Sequence, residues 1–162
     1  DDFSVRPLPP QHGGLFTRAG HPLQGLGKPR LRAALAQYRL AATDLPLRAR
    51  EYLARLYQVA RPEDLPIAFE CDSVATLREV ALGSDVVLFC TREAIAAELA
   101  QGVLEPLPLS YPAAGPLTYS VIHRARRTLS PTAERVIELV QDLLSGAAGP
   151  QAAAGKKRRA RR

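Results

Sequence analysis

The sequence predicts an α/β fold, a mostly parallel sheet flanked by helices, and three observations carry that prediction. Residues 67–109, IAFECDSVATLREVALGSDVVLFCTREAIAAELAQGVLEPLPL, read as strand, helix, strand, helix, strand. Strands that alternate with helices need crossovers, and right-handed crossovers lay successive strands parallel. Val86, Val87, Leu88 and Phe89 form an unbroken apolar run, as in a strand buried on both faces. The 162 residues, 46% apolar and 23% charged, are enough for one core.

Residues 1–12 are a Pro-rich lead expected to be irregular. Residues 15–18 read as a strand, Gly20-His21-Pro22 as the turn leaving it, and 24–29 as a Gly/Pro loop. A short helix at 31–36 and a strand at 38–42 follow. Thr43-Asp44-Leu45-Pro46 places an N-cap before proline and opens a helix over 47–60, with Tyr52, Leu53, Leu56 and Tyr57 toward the core. Residues 61–66 link it to a strand at 67–71. Asp72-Ser73 offers side-chain oxygen to the free N–H groups of the next helix. That helix repeats Val74, Leu77, Val80 and Ala81 at helical spacing and closes at Gly83. After the apolar strand, Thr91 is read as the cap of a helix with Ile95 and Leu99 inward, ended by Gly102, and 103–109 is a strand. Residues 110–116 are a loop and 118–123 a strand. Ser130-Pro131 starts a helix with Val136, Ile137, Val140, Leu143 and Leu144 on one stripe. Residues 147–162 are Ala/Gly-rich and then basic, and are expected to be disordered.

The net charge of +6 belongs to the tail. Lys156, Lys157, Arg158, Arg159, Arg161 and Arg162 hold six of the 22 basic residues, and the remaining 16 match the 16 acidic ones. A neutral body gives no charge-based nucleic-acid face; the tail offers salt-dependent, sequence-independent phosphate contact or is a solvated terminus. No apolar run reaches the roughly 18–20 residues of a membrane span. No signal-peptide pattern is present, and Cys71 and Cys90 are too few for a disulfide framework, so a reducing cytoplasm is the expected setting.

In open α/β sheets, ligands sit beyond the carboxyl ends of strands, where helix N-termini present N–H groups. Three segments have that place: Thr43-Asp44, Asp72-Ser73 and Cys90-Thr91. They suit a small carboxylate-bearing metabolite; the competing reading is that Thr43, Ser73 and Thr91 are caps only. His21, before proline in a turn, is read as structural rather than as a general base. Cys90 is a reactive thiol at a helix N-terminus or a buried apolar cysteine. His12 and His123 have no partners at metal spacing, and no phosphate loop or nucleophile elbow is present, so no catalytic residue, metal or cofactor is assigned.

Four segments, in order, resemble the effector-binding domain of LysR-type transcriptional regulators. They are G-G-L-F-T-R-A-G-H-P-L at 13–23, E-C-D-S-x-x-x-L-R-x-x-x-L-x-S-D at 70–85 with its apolar strand, A-x-x-x-E-L-A-x-G-x-L-x-x-L at 94–107, and 117–124 ahead of the Ser130 helix. The resemblance covers about residues 13–145. It implies a periplasmic-binding-protein-like (type 2) architecture of two subdomains with the effector between them. Residues 13–129 are then the second subdomain, its strand at Leu15 lying antiparallel to the one at 118–123, and 130–146 are a C-terminal helix returning to a first subdomain mostly absent from this chain. It further implies a non-enzymatic bacterial regulator that forms homo-oligomers and touches DNA only through an N-terminal winged helix-turn-helix not present here. A stand-alone binding protein or enzyme on the same scaffold, or a non-functional remnant, are the alternatives.

Overall fold

The computed structural model describes residues 2–109 and 118–147. They fall into two compact units, Asp1–Gln11 with Pro116–Arg162, and His12–Gly115. The larger unit holds β2 (Gly13–Arg18), α1 (Lys28–Leu35), β3 (Leu40–Ala42), α2 (Leu47–Tyr57), β4 (Ile67–Glu70), α3 (Val74–Leu82), β5 (Val87–Thr91), α4 (Ala96–Gln101) and β6 (Leu104–Pro106). The smaller holds β1 (Phe3–Pro7), β7 (Ser120–Arg124) and α5 (Pro131–Ala147).

The large sheet has the order β4-β3-β5-β2-β6. β3 is parallel to β4 and to β5, whereas β2 is antiparallel to β5 and β6. β5 is the middle strand, and its Val87 and Leu88 are fully buried. Alternate residues along it enter two separate cores: Val87 and Phe89 pack with α1 and α2 through Leu31, Leu35, Leu53 and Tyr57, and Leu88 and Cys90 pack with Leu77, Ala81 and Ile95. Helices therefore cover both sheet faces, which is why this strand has no polar alternation.

Helix ends follow local chemistry. α2 stops at Tyr57, short of the expected residue 60, because Gln58 takes a left-handed φ of 58° and Val59 N–H donates back to Ala54 O at 3.0 Å. Gly102, at φ 69°, ends α4 in the conformation glycine tolerates best. Gly83 closes α3 with its N–H on Glu79 O at 3.0 Å.

Three expectations need correction. Residues 1–12 are not irregular: Phe3–Pro7 is a strand, paired antiparallel with β7 from Phe3↔Arg124 to Pro7↔Ser120. Accordingly the Leu15 strand does not pair with the strand near 118–123. Both of its edges are taken, by β5 and β6. The strand expected near 118–123 as part of the second subdomain is β7, which sits with β1 and α5 in the smaller unit. The apolar stripe of α5 is covered along one edge only. Ile137 is 7% exposed, whereas Val136 and Leu143 are 54% and 64% exposed, together with Leu139. Arg6 joins the ribbon to this helix, its Nη1 2.9 Å from Glu134 Oε2. Ser130 Oγ accepts from Ala133 N–H at 3.2 Å, as a cap should. The expected loop at 110–116 and the tail at 147–162 lie, but for Ala147 at the end of α5, outside the described residues.

Leu88→Ala should destabilise the chain by about 2–5 kcal/mol, the range for truncating a fully buried leucine. Ile122→Lys, at a ribbon position 62% exposed, should shift stability by no more than about 0.5 kcal/mol. Urea midpoints of the two variants check the contrast.

Candidate functional site

β3, β4 and β5 run the same way, so their carboxyl ends lie side by side: Ala42 is opposite Glu70 on one side and Phe89 on the other. Cys71 N–H extends the ladder to Ala42 O at 3.3 Å. β2 runs the other way and brings its start to the same end, with Gly13 opposite Thr91 and Arg92 N–H donating to His12 O at 3.0 Å. The chain then leaves in opposite directions. β3 leads to α2 on one face, while β4 and β5 lead to α3 and to the turn around Ile95 on the other. Neighbouring strands whose continuations part to opposite faces open a crevice between them. Thr43-Asp44, Asp72-Ser73 and Thr91 all stand at that end.

Their side chains differ. Ser73 caps α3, its Oγ accepting from Thr76 N–H at 3.3 Å and paired with Thr76 Oγ1 at 3.0 Å. Thr43 does not cap α2: Pro46 holds the N-cap position, and no side chain caps the helix. Thr43 lies three residues before that position, too far back to reach the free N–H groups. Thr91 precedes a single 3-10 turn, Arg92–Ile95, and also makes no cap bond. Neither threonine hydroxyl has a side-chain hydrogen bond among the described residues. Both residues are half-buried; Asp44, Asp72 and Ser73 are exposed.

Cys90 does not belong with them. Its thiol faces the core among Phe16, Ala41 and Leu77. Burial, with the negative charges of Glu93 and Glu98 added, pushes the thiol from 9.0 up to about 12, opposite to the activation a helix N-terminus confers. Alternation along β5 explains the error: Thr91 at the strand end and Cys90 before it point to opposite faces. His21 is structural and lies at the far end of β2. It is 2% exposed; Nδ1 accepts from Leu23 N–H at 3.0 Å, so Nε2 carries the proton and donates to Asp85 O at 3.1 Å. Among the described residues no group of three His, Cys, Asp or Glu could hold a metal ion, and no helix is long and apolar enough to cross a membrane. The basic residues Lys156 to Arg162 lie outside the description.

Two residues at this end escaped sequence reading, Arg50 and Glu70. Arg50 Nη2 is 3.2 Å from Asp44 Oδ1 and 2.9 Å from Glu70 Oε2, and its Nε donates to Leu45 O at 3.1 Å. Only the Asp44 spacing was visible in the sequence; the pairing with Glu70 depends on β3 and β4 being neighbours.

The buried thiol sets a pH limit. Tyr57 is also pushed up by burial, with no hydrogen-bond partner for its hydroxyl. Above about pH 9 the unfolded chain releases these protons and the folded chain retains them, so stability falls as pH rises toward 12. Urea midpoints at pH 8 and pH 10.5 should drop less in Cys90→Ala than in the parent. A thiol reagent at pH 8 should label Cys71 in the native chain, and Cys90 only after unfolding.

Residues 1–145 match the family described as the LysR substrate binding domain. The SDS degradation transcriptional activation protein of Pseudomonas sp. (strain ATCC 19151) is 37% identical over 145 residues, spanning 86% of this chain and 45% of that protein. The AmpR effector binding domain from Citrobacter freundii superposes with a TM-score of 0.64 at 12% identity, covering 90% of this chain and 69% of that one. The CcmR regulatory domain of Synechocystis PCC6803, solved in complex with 2-PG, gives 0.62 at 16% identity, with 88% and 67% covered. These structures share the periplasmic-binding-protein-like α/β fold expected from the sequence. With nearly the whole described chain matched, this protein belongs to the LysR substrate-binding-domain family.

Proposed function

We propose that this chain is the effector-sensing part of a LysR-type transcriptional regulator and that its effector lies at the carboxyl end of β3, β4 and β5. The carrying observation is that Thr43 and Thr91, half-buried where the crossovers part, leave their hydroxyls uncommitted. Hydroxyls so placed hydrogen-bond a ligand without giving up a partner. The free end of α3 behind Ser73 favours negative charge, so the effector is a small anionic, carboxylate-bearing metabolite. The 37% identical relative, named for SDS degradation, supports an anion carrying an alkyl chain. Asp44 and Asp72 flank the site.

The effector acts by drawing two lobes together, which repositions a DNA-binding winged helix-turn-helix outside these 162 residues. The larger unit, His12–Gly115, supplies the second lobe, and the β1–β7 ribbon with α5 serves the first. The exposed Val136, Leu139 and Leu143 of α5 and the exposed Phe3, Val5 and Ile122 of the ribbon support that placement, since isolated ribbons rarely present such a face to water. The regulator works as a homo-oligomer in the cytoplasm and performs no catalysis.

Titrating the 15N-labelled chain with sodium octanoate, and separately with octyl sulfate, tests the site. Amide shifts should concentrate at Thr43, Ser73 and Thr91 and reach millimolar saturation. Ser73→Ala should lower stability by about 1 kcal/mol through the lost cap and weaken binding severalfold beyond that. Shifts confined to the Arg18–Asp85 end of the sheet would remove the proposed site. Any DNA binding by the chain itself should be sequence-independent, salt-sensitive and lost when residues 156–162 are deleted.

A further inference from the structure

The segment from Thr43 to Pro46 enters α2 with no cap, yet it carries Thr43, one of the proposed contacts. One side chain restrains it. Arg50, in the first turn of α2, donates from Nε to the carbonyl of the buried Leu45 at 3.1 Å and from Nη2 to Glu70 Oε2 at 2.9 Å and Asp44 Oδ1 at 3.2 Å. Glu70 is the last residue of β4, two positions before Asp72-Ser73. The guanidinium therefore ties the segment after β3 to the strand end that leads into α3. Its contributions are unequal. The Asp44 side chain is 82% exposed and adds little, whereas Arg50 itself is 26% exposed and Glu70 41%. The bonds to Leu45 O and Glu70 thus carry the restraint. They use adjacent arms of a planar fork, a geometry that a lysine ammonium does not reproduce.

We infer that Arg50 is a positioning residue of the effector site, fixing the separation between the Thr43-Asp44 segment and the Asp72-Ser73 segment. The inference rests on the reading that the effector binds at this end of the sheet. Arg50 is not itself required to touch the ligand. It acts by holding two loops that the ladder hydrogen bonds do not reach.

The test uses the whole chain with Arg50→Ala, Arg50→Lys and, as a control, Arg61→Ala, which removes an exposed pair with Asp64. Amide hydrogen exchange at Ala49 and Cys71, whose N–H groups donate to Pro46 O and Ala42 O, should accelerate at least tenfold in Arg50→Ala, with Leu88 unchanged. The octanoate dissociation constant, followed at the Thr91 amide, should rise at least fivefold. Arg50→Lys should fold and recover neither quantity, and Arg61→Ala should match the parent in both. If Arg50→Ala does not fold, Arg50→Lys decides by the same two readouts. Parental exchange and affinity in the Arg50 variants, or full recovery in Arg50→Lys, would overturn the inference. Should octanoate leave the parent's shifts at this end unchanged while exchange still accelerates, the ligand reading falls and the restraint by Arg50 stands.

Discussion

The position of β3 between β4 and β5 is the constraint on which the large unit depends. Three parallel strands in the order β4-β3-β5 require two crossovers that move in opposite directions across the sheet. Both crossovers keep the same hand, so α2 must cover one face and α3 the other. From this follow the two separate cores, the burial of β5 on both sides and the parting of the chain at the strand ends. β2 closes the arrangement by filling the remaining edge of β5 in the antiparallel sense. Moving one strand would merge the two cores and close the crevice.

Hydrogen-bond accounting at the crevice separates groups that hold the fold from groups that remain available. Ser73 is committed to α3, and Arg50 to Leu45, Asp44 and Glu70. The side-chain hydroxyls of Thr43 and Thr91 have no hydrogen bond among the described residues. A buried thiol next to Thr91 adds apolar lining to the core rather than reactivity to the site. In the smaller unit the same accounting applies to apolar surface. Ile137 is covered, whereas Val136, Leu139 and Leu143 along the outer edge of the same apolar face are not.

The order of elements from β3 onward was readable because each helix carries its own periodicity and each strand its own apolar run. The common end of the three strands followed from that order alone. What stayed hidden was set by distant neighbours or by one-residue offsets. Phe3-Ser4-Val5-Arg6 alternates apolar and polar residues, but the run is short and Pro7, Pro9 and Pro10 crowd it, so it becomes a strand only because β7 supplies a partner. Thr43 resembles a cap because proline follows, but α2 starts at Leu47, three residues later than a cap at Thr43 requires. Cys90 was grouped with Thr91 by sequence adjacency, although a strand sends adjacent side chains to opposite faces. Arg50 was invisible because Glu70, twenty residues away, comes beside it only through the β3–β4 pairing.

A crystal structure of the chain soaked with octanoate locates the ligand directly. The carboxylate should lie within hydrogen-bonding distance of the Thr43 or Thr91 hydroxyl, or of the free N–H groups opening α3, at the carboxyl end of β3, β4 and β5. Carboxylate density at the opposite end, beside Arg18 and His21, with the Thr43 and Thr91 hydroxyls untouched, would contradict that placement.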